Sequence, residues 1–563
     1  MSTIDDTGVV AGVARLRNAT TLPTMALSLL TVLMGWLVLF QQVGETNEYL
    51  GLPIVELFAI SVLVQGLAIG GLGVASYVGA LQSTSDRTAG LFTGAFVGSL
   101  WAVVTAVLVT VVAGLRMVYW PGSSVWIFSG IPVPLGILLS LLGGVVGFLA
   151  VVLPREDLGA TLPVSALLVP LGMFALVGPL TVPWTYEPGW TTVVFPGSEV
   201  LPFAFFVTSL LGCWTLAKIS EGFGATGRQR GAYYLIGVSV AATLGVLGML
   251  VYFIVDKGFA TLSTGASFDG WGGRLVLPVV DWAVPWFDAN LPFVFNQPGG
   301  LFVDVPGVWP AILGTIWLVI GALVVAVPLG IGAAIFLTEY VERGRITQLV
   351  EVVTNGLWST PSIVFGLFGM AFLMPRLSNG GRSMIVAQLV LGFMLLPLVL
   401  ITSREAIISV PDEYRDASAA LGVSRWKTVR SVVLPAAMPG VITGVILGVG
   451  RIAGETAPLL LVFGGQPYPS TKSPVSGGKG ILESFSFSLQ PPFITNSALT
   501  ERGTALPFQL YTSITAGSSP KPEVFSLSEF GWGTALVLLL VVMGFFAIGV
   551  ASRLYFRRKL NYE

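Results

Sequence analysis

The sequence contains no histidine and a single cysteine, Cys213, in 563 residues. The lack of histidine excludes sites that use imidazole to bind a metal or to transfer protons. One cysteine cannot form a disulfide within the chain. Charged residues are also scarce, at 10% of the chain, whereas soluble globular domains carry about 25%. The net charge of −1 gives no reason to expect a nucleic-acid partner.

Hydrophobic residues are abundant instead, at 54% of the chain with a mean hydropathy of +0.85. A helix needs about 20 apolar residues to cross a bilayer, and runs of that length recur along the whole sequence. Because few of them alternate between apolar and polar residues, helices are favoured over a barrel. We predict an all-α polytopic membrane protein with about twelve transmembrane helices, starting near Leu22, Ile54, Ala89, Ile131, Thr161, Leu201, Ala232, Trp309, Trp358, Met384, Pro435 and Trp532.

Basic residues predict the orientation of these spans, because cytoplasmic loops are rich in Lys and Arg. With a cytoplasmic N-terminus, the inside segments include the loop with Arg228 and Arg230 and the tail after Arg553. Exceptions that fall on the outside are Arg116, Lys257, Arg274, Arg376, Arg382 and several residues of the long loop after Phe463, where charge has little influence on topology. We therefore predict a multi-pass protein of the plasma or inner membrane with both termini in the cytoplasm.

A polar, glycine-rich stretch divides the predicted spans into six and six. It reads SEGFGATGRQRG and covers residues 220–231. We predict a domain boundary here, with an N-terminal membrane region of about six spans at residues 1–220 and a second domain at 221–563. The two halves do not look like repeats of each other. Long outside loops, near 256–308 and 464–531, are rich in Gly, Pro, Ser and aromatic residues.

The longest cytoplasmic loop, near residues 410–436, predicts two short helices around a glycine. Pro411 and Asp412 are typical of a helix start, and Gly422 can adopt the positive φ of a sharp reversal. An amphipathic helix follows, which alone would fit a segment lying on the membrane surface. The residues Asp416, Ala417, Ser418, Gly422, Leu434 and Pro435 together resemble the EAA loop of ABC-importer permeases, with Asp in place of the usual Glu.

That resemblance implies what the loop does and which partners the chain has. In the family, the loop docks into a groove on a separate ATPase subunit, and we call residues 410–436 the coupling loop. The chain contains no G-x-x-x-x-G-K-[ST] phosphate loop, so ATP would be hydrolysed on the partner. We expect a transporter subunit, not an enzyme, with no cofactor of its own.

Further stretches resemble PstA, the permease family of phosphate ABC importers, over roughly residues 230–560. They are NGLWSTPSIVFGLFGMAF at 355–372, RIAGETAPLL at 451–460 and LPFQLYTSI at 506–514. The resemblance implies a type I permease domain of six spans. Its implied partners are a second homologous permease, a dimer of ATPase subunits and an extracytoplasmic phosphate-binding protein. Residues 1–220 match nothing in this family, and their role stays open.

Arg451 and Glu455 stand four residues apart within an apolar run, so they share one helix face. A charge near the bilayer centre is costly, by about 2.5–3.5 kcal/mol on insertion scales, and faces protein or water. One interpretation is a salt bridge that only fastens helices together. The other is that Arg451, Glu455 and Thr456 line the substrate path, since arginine matches phosphate oxygens bidentately. Phosphate is assigned as the substrate by the family resemblance, and the spacing of these residues does not identify it.

Other functions remain open at this point. The same coupling loop would suit a permease for another oxyanion, such as sulfate or molybdate, although the GETAP segment argues against it. A signalling or scaffold membrane protein, with transport secondary, would give the first half a sensing role. An ion-coupled secondary transporter would need no ATPase and would have no use for the segment from Asp416 to Gly422.

Overall fold

A computed structural model gives the fold of the chain. It describes residues 6–39, 48–49, 51–81, 84–120, 123–129, 133–177, 184–187, 194–277, 282–299, 303–341, 344–465, 468, 484–487, 494–515, 517 and 519–562. The described residues are mostly helical and form two compact units, Met1–Val246 and Leu247–Glu563. The units meet within one long helix, and the domain boundary predicted at residues 220–221 stays a prediction.

Six helices and the first part of a seventh build the first unit. Acidic residues stand in the first turns of several of them, where they favour the positive end of the helix dipole. The helices are α1 (Asp6–Leu39), α2 (Ile54–Tyr77), α3 (Leu91–Gly114), α4 (Val133–Val152), α5 (Glu156–Leu176), α6 (Gly197–Ser220) and α7 (Gly224–Ser263), the last of which continues into the second unit.

Helices α2 and α5 pack closely because small residues of α2 face α5. A Cβ added at Gly66 would lie 2.8 Å from Val169 Cγ2, and one at Gly70 would lie 2.6 Å from Ser165 Oγ. The Ser165 hydroxyl donates to the carbonyl oxygen of Gly66 at 2.8 Å. Small residues that let helix backbones approach are typical of membrane helix pairs, so these glycines serve packing.

A buried carboxylate fixes the turn between α6 and α7. Glu156 is 1% exposed and accepts hydrogen bonds from the backbone N–H groups of Asp86 at 2.9 Å and Gly224 at 3.0 Å. It also pairs with Arg228 at 3.1 Å. The polar stretch that the sequence marks as a boundary is therefore an ordered turn held by an ion pair from α5.

Short strands lie between the helices of the first unit. Strands β1 (Glu48–Tyr49) and β2 (Leu52–Pro53) form a small hairpin. A four-stranded sheet follows in the order β3 (Leu115–Trp120), β4 (Ser123–Ser129), β5 (Trp184–Glu187) and β6 (Phe195–Pro196). Its neighbours are antiparallel except for the parallel pair β4 and β5. The sequence did not predict these strands.

The second unit begins with the last part of α7, after which comes a β-hairpin of β7 (Ser267–Leu277) and β8 (Trp282–Asn290). A second hairpin consists of β9 (Phe485–Phe487) and β10 (Ile494–Asn496). Both hairpins fall in the long predicted outside loops. Its helices are α8 (Pro292–Phe295), α9 (Trp309–Ile335), α10 (Arg345–Ser359), α11 (Ser362–Phe368), α12 (Met374–Leu377), α13 (Met384–Ile408), α14 (Asp412–Ala420), α15 (Arg425–Thr428), α16 (Leu434–Ala453), α17 (Ala457–Val462), α18 (Leu506–Thr515) and α19 (Leu527–Tyr562).

Three π-helical turns continue helices of this unit. They are Phe336–Tyr340 after α9, Gly369–Leu373 between α11 and α12, and Val429–Val433 between α15 and α16. Such turns are rare in proteins overall, and those that occur are often found at functional sites. One of them, Val429–Val433, lies within the coupling loop.

Helix α13 is the centre of the second unit, because α9 and α16 both pack along it. Its buried side chains include Val390, Leu391 and Leu395, which join α9 and α16 residues in one apolar core. A smaller apolar cluster, with Ile407 and Val433 among its members, lies at the C-terminal ends of α9 and α13 and the N-terminal part of α16. The coupling loop therefore starts from a packed base.

Every predicted span has a helix in the structure. Among the described residues, ten helices are long and apolar enough to cross a membrane, and the bent pair Thr347–Ser359 and Ser362–Leu377 would give an eleventh. The one remaining predicted span, near Ala89, corresponds to α3, in which Leu91–Ala106 forms a shorter apolar helix. The prediction of an all-α polytopic membrane protein is confirmed.

Candidate functional site

Arg451 stands in the last turn of α16, where the helix ends before a second, short helix. Gly454 caps α16, and Pro458 in the first turn of α17 starts a new axis. Proline there has no N–H to lose from the helix ladder. A long apolar helix is thereby interrupted at the G-E-T-A-P segment, which leaves Arg451, Glu455 and Thr456 at the break.

The depth of Arg451 follows from the packing of α16 on α13. Gly448, almost one turn before Arg451, lies against Leu395, which is close to the middle of the 25-residue helix Met384–Ile408. Arg451, in the last turn of α16, therefore lies about one turn from the level of the middle of α13. At that depth a guanidinium is costly in contact with lipid, and such residues face protein or water.

Two groups contact the Arg451 guanidinium. Its Nε lies 3.8 Å from Glu455 Oε1, which is an ion pair at longer than hydrogen-bonding distance. Its Cζ lies 4.4 Å from the centroid of the Trp358 ring, a cation–π contact that the sequence did not predict. Among the described residues we find no hydrogen bond from this guanidinium. Its N–H donors are thus available, and the side chain is 33% exposed.

The site lies where two interrupted helices meet. Trp358 is near the end of α10, which bends by 100° into the segment Ser362–Leu377. That segment also touches α17, since a Cβ at Gly366 would lie 2.8 Å from the Cα of Pro458. The bend at Trp358 and the break at Arg451 are thus neighbours. Irregular backbone inside a membrane is tolerated where it is buried or lines a cavity.

The remaining polar side chains near the break differ in their contacts. Thr456 precedes the first residue of α17 and is half-buried. The hydroxyls of Ser359 and Thr360 donate to the carbonyl oxygen of Gly356 in their own helix. These two hydroxyls are therefore already bonded, and Arg451 and Thr456 are the groups best placed to meet a polar solute.

Helix α10, which carries Trp358, is also joined to α13 by an ion pair. Arg404 Nη1 lies 2.6 Å from Glu351 Oε1. Glu351 is two turns before Trp358 on the same helix, so the pair fixes the helix that presents the indole ring. Nothing local in the sequence pairs Arg404 with Glu351, because the pair depends on how α10 and α13 pack.

The coupling loop has the helix–glycine–helix form that its sequence predicts. Helix α14 starts after Pro411, and Gly422 has a φ of +70°. The backbone N–H of Gly422 donates to Ala419 O at 2.9 Å and that of Val423 to Ser418 O at 3.1 Å. This is the Schellman arrangement that ends a helix on a left-handed residue.

The predicted coupling residues divide into exposed and packed groups. Asp416 and Ala417 are exposed on α14, whereas Ser418 is buried. Leu434 and Pro435 form the first turn of α16 and are half-buried. Beside them the loop exposes large side chains, Tyr414, Leu421 and Trp426. A loop with a fixed base and exposed apolar groups suits contact with another protein.

The second unit matches known permeases in sequence. A family model, binding-protein-dependent transport system inner membrane component, matches residues 326–562. The phosphate transport system permease protein PstA of Mycobacterium leprae is 32% identical over 255 residues, which cover 45% of this chain and 73% of the relative. The chain belongs to the binding-protein-dependent permeases of ABC importers. The first 325 residues of this permease lie outside the family match.

Other relatives of the permease carry related names. The probable ABC transporter permease protein YqgI of Bacillus subtilis is 37% identical, over 28% of this chain and 53% of its own length. The phosphate transport system permease protein PstC 2 of Mycobacterium tuberculosis is 35% identical, over 28% and 56%. The chain thus spans between half and three quarters of these relatives. A solved MetNI methionine ABC transporter is 16% identical, over 44% of this chain and 94% of its own, with a TM-score of 0.31, which is too low to support an argument.

Proposed function

We propose that this chain is the transmembrane permease subunit of an ATP-driven phosphate importer. The observation that carries the proposal is the guanidinium of Arg451, in the last turn of a candidate membrane span, held between Glu455 and Trp358 at the meeting point of two interrupted helices. The names of the PstA and PstC relatives supply the substrate.

The proposed path needs a cation that binds the anion and then releases it. Arg451 offers a planar fork that fits phosphate oxygens, and Thr456 offers a hydroxyl donor nearby. Glu455 offsets part of the positive charge, which prevents the anion from binding too tightly to leave. Trp358 covers one face of the guanidinium, so its edges remain available for hydrogen bonds with the anion.

The partners in this proposal are those that the family resemblance implies. The coupling loop would face the cytoplasm and dock on a dimer of ATPase subunits, so that no ATP chemistry occurs on this chain. A second, homologous permease would complete the path, in keeping with the similarity of this chain to both PstA and PstC relatives. An extracytoplasmic phosphate-binding protein would deliver the substrate.

Labelled-phosphate uptake by the co-expressed complex tests the substrate and the path together. We expect Arg451→Gln to lose most uptake while the complex still assembles, and Arg451→Lys, which keeps the charge without the fork, to retain part of it. Undiminished uptake in Arg451→Gln would reduce the arginine to a structural ion pair. Strong competition by excess sulfate would move the assignment to another oxyanion permease.

A further inference from the structure

One arginine side chain attaches the coupling loop to α13, which precedes the loop, and to the π-helical turn that follows α9. Helix α14 has nine residues, all of them described, and only Ser418 among them is buried. Arg415 is the fourth residue of the same helix, and its side chain extends toward the ends of α9 and α13. Arg415 is therefore a direct side-chain link between the exposed helix α14 and the membrane helices.

The Arg415 guanidinium bonds to acceptors on two helices at once. Its Nε and Nη2 lie 3.2 and 2.8 Å from Glu339 Oε1, in the π-helical turn Phe336–Tyr340 that follows α9. Its Nη1 donates to Val410 O at 2.8 Å, and its Nη2 donates to Ile407 O at 3.1 Å. One planar group thus joins α14 to the inner ends of α9 and α13.

Charge and burial make this attachment strong on the Glu339 side. The Glu339 side chain is 7% exposed, so its carboxylate depends on the charge-assisted bonds from Arg415. Those hydrogen bonds raise the pKa of Arg415 above its ordinary value, and the arginine stays charged. A second carboxylate, Asp412, lies 3.1 Å from Nη1 but is 89% exposed, where an ion pair contributes little.

We infer that Arg415 and Glu339 are positioning residues that make the coupling loop move together with α9 and α13. This inference rests on the proposed function. When a docked ATPase closes, the loop is pulled, and the buried pair transmits that displacement to the two helices that pack along each other. Without the pair, α14 moves while α9, α13 and the helices around Arg451 stay in place. ATP is then hydrolysed without transport.

A purely structural role for Arg415 makes a different prediction. Capping the end of α13 needs only the bonds to Ile407 and Val410, not the carboxylate of Glu339. If capping were the whole role, loss of Glu339 would leave transport unchanged, and loss of Arg415 would lower assembly, hydrolysis and uptake in parallel. The ratio of ATP hydrolysed to phosphate imported separates these possibilities.

The experiment uses the full complex in proteoliposomes, with hydrolysis and labelled-phosphate uptake measured on the same sample. For Arg415→Gln and Glu339→Ala we expect the ATPase to co-purify, hydrolysis to stay within about twofold, and uptake to fall about tenfold or more. Glu339→Gln keeps a hydrogen-bond acceptor without the charge, so its ratio of ATP hydrolysed to phosphate imported should be intermediate. If the other variants fail to assemble, this variant tests transmission through the pair. The matched control is Asp412→Asn, with an unchanged ratio.

The outcomes distinguish this inference from the proposal beneath it. A native complex without ATP-driven phosphate uptake would overturn the proposed function and this inference with it. A native complex that transports, with native ratios in the Glu339 variants, would overturn the inference alone. A ratio that rises in the Arg415 and Glu339 variants but not in Asp412→Asn would support transmission through the buried pair.

Discussion

Replacement of Gly422 by valine should uncouple the loop, for a reason that lies in the backbone and not in crowding. Gly422 has a φ of +70°, and a Cβ added there would have no other atom within 4 Å. The open space removes steric clash with neighbours as a cause. What remains is the cost of placing a β-branched residue in the left-handed region, where it is a strong outlier.

The magnitude follows from the same geometry. An L-residue pays about 1–2 kcal/mol in the left-handed conformation, and about 1.4 kcal/mol corresponds to a tenfold change in an equilibrium. The turn between α14 and α15 would therefore be populated roughly 5- to 30-fold less in Gly422→Val relative to alternative turns. Asparagine tolerates positive φ, so Gly422→Asn is the matched control.

ATP-driven uptake and co-purification of the ATPase measure the effect on coupling. We expect Gly422→Val to lose most uptake and to weaken ATPase binding, because the exposed side chains on either side of the turn no longer present one surface. Gly422→Asn should keep most of both. Native uptake in Gly422→Val, or an equal loss in both variants, would refute the argument from backbone conformation.

Two further predictions concern single contacts. Trp358→Leu removes a cation–π contact that contributes about 0.5–2 kcal/mol, so the KM for phosphate uptake should change several-fold while Trp358→Phe retains part of the native value. An unchanged KM would mean that the ring does not orient Arg451. Glu156→Ala leaves the backbone N–H groups of Asp86 and Gly224 without their acceptor and removes one of the two carboxylates that pair with Arg228, which should cost about 3 kcal/mol and lower the Tm of the purified chain. Glu221→Gln, at the half-exposed pair with Arg230, should change the Tm little.

Hydropathy and glycine placement predicted much of this architecture. Each apolar run of the sequence corresponds to a helix, because span length depends on the bilayer and not on tertiary contacts. The turn at Gly422 was also predictable, since a glycine between two helical segments is typical of a left-handed helix end. The family resemblance of the second half is confirmed by its relatives.

The contacts that join distant parts of the chain were not predictable. Nothing local in the sequence pairs Arg451 with Trp358, or Arg415 with Glu339, because each pair depends on how helices pack. Arg415 belongs to the predicted coupling loop, but nothing in that segment assigns it a partner. The two larger sheets were missed because their strands lie in segments rich in Gly, Pro and aromatic residues, where a regular alternation is hard to recognise.

The roles assigned to Arg451, Glu455 and Thr456 stay predictions, as do those of the coupling residues. The structure places the first three at one helix break and adds Trp358 to them. It also gives the coupling loop a fixed turn and a buried attachment. Transport measurements on variants of these residues can now test the roles that we assign to them.

The central claim is that this permease imports phosphate by using ATP from a partner. The most direct measurement is labelled-phosphate uptake into proteoliposomes that contain the co-purified complex, with and without ATP on the ATPase side, in the presence of excess sulfate. The account predicts uptake that requires ATP, that an ion gradient alone does not drive, and that sulfate leaves unchanged. Uptake driven by an ion gradient without ATP, or abolished by sulfate, would contradict it.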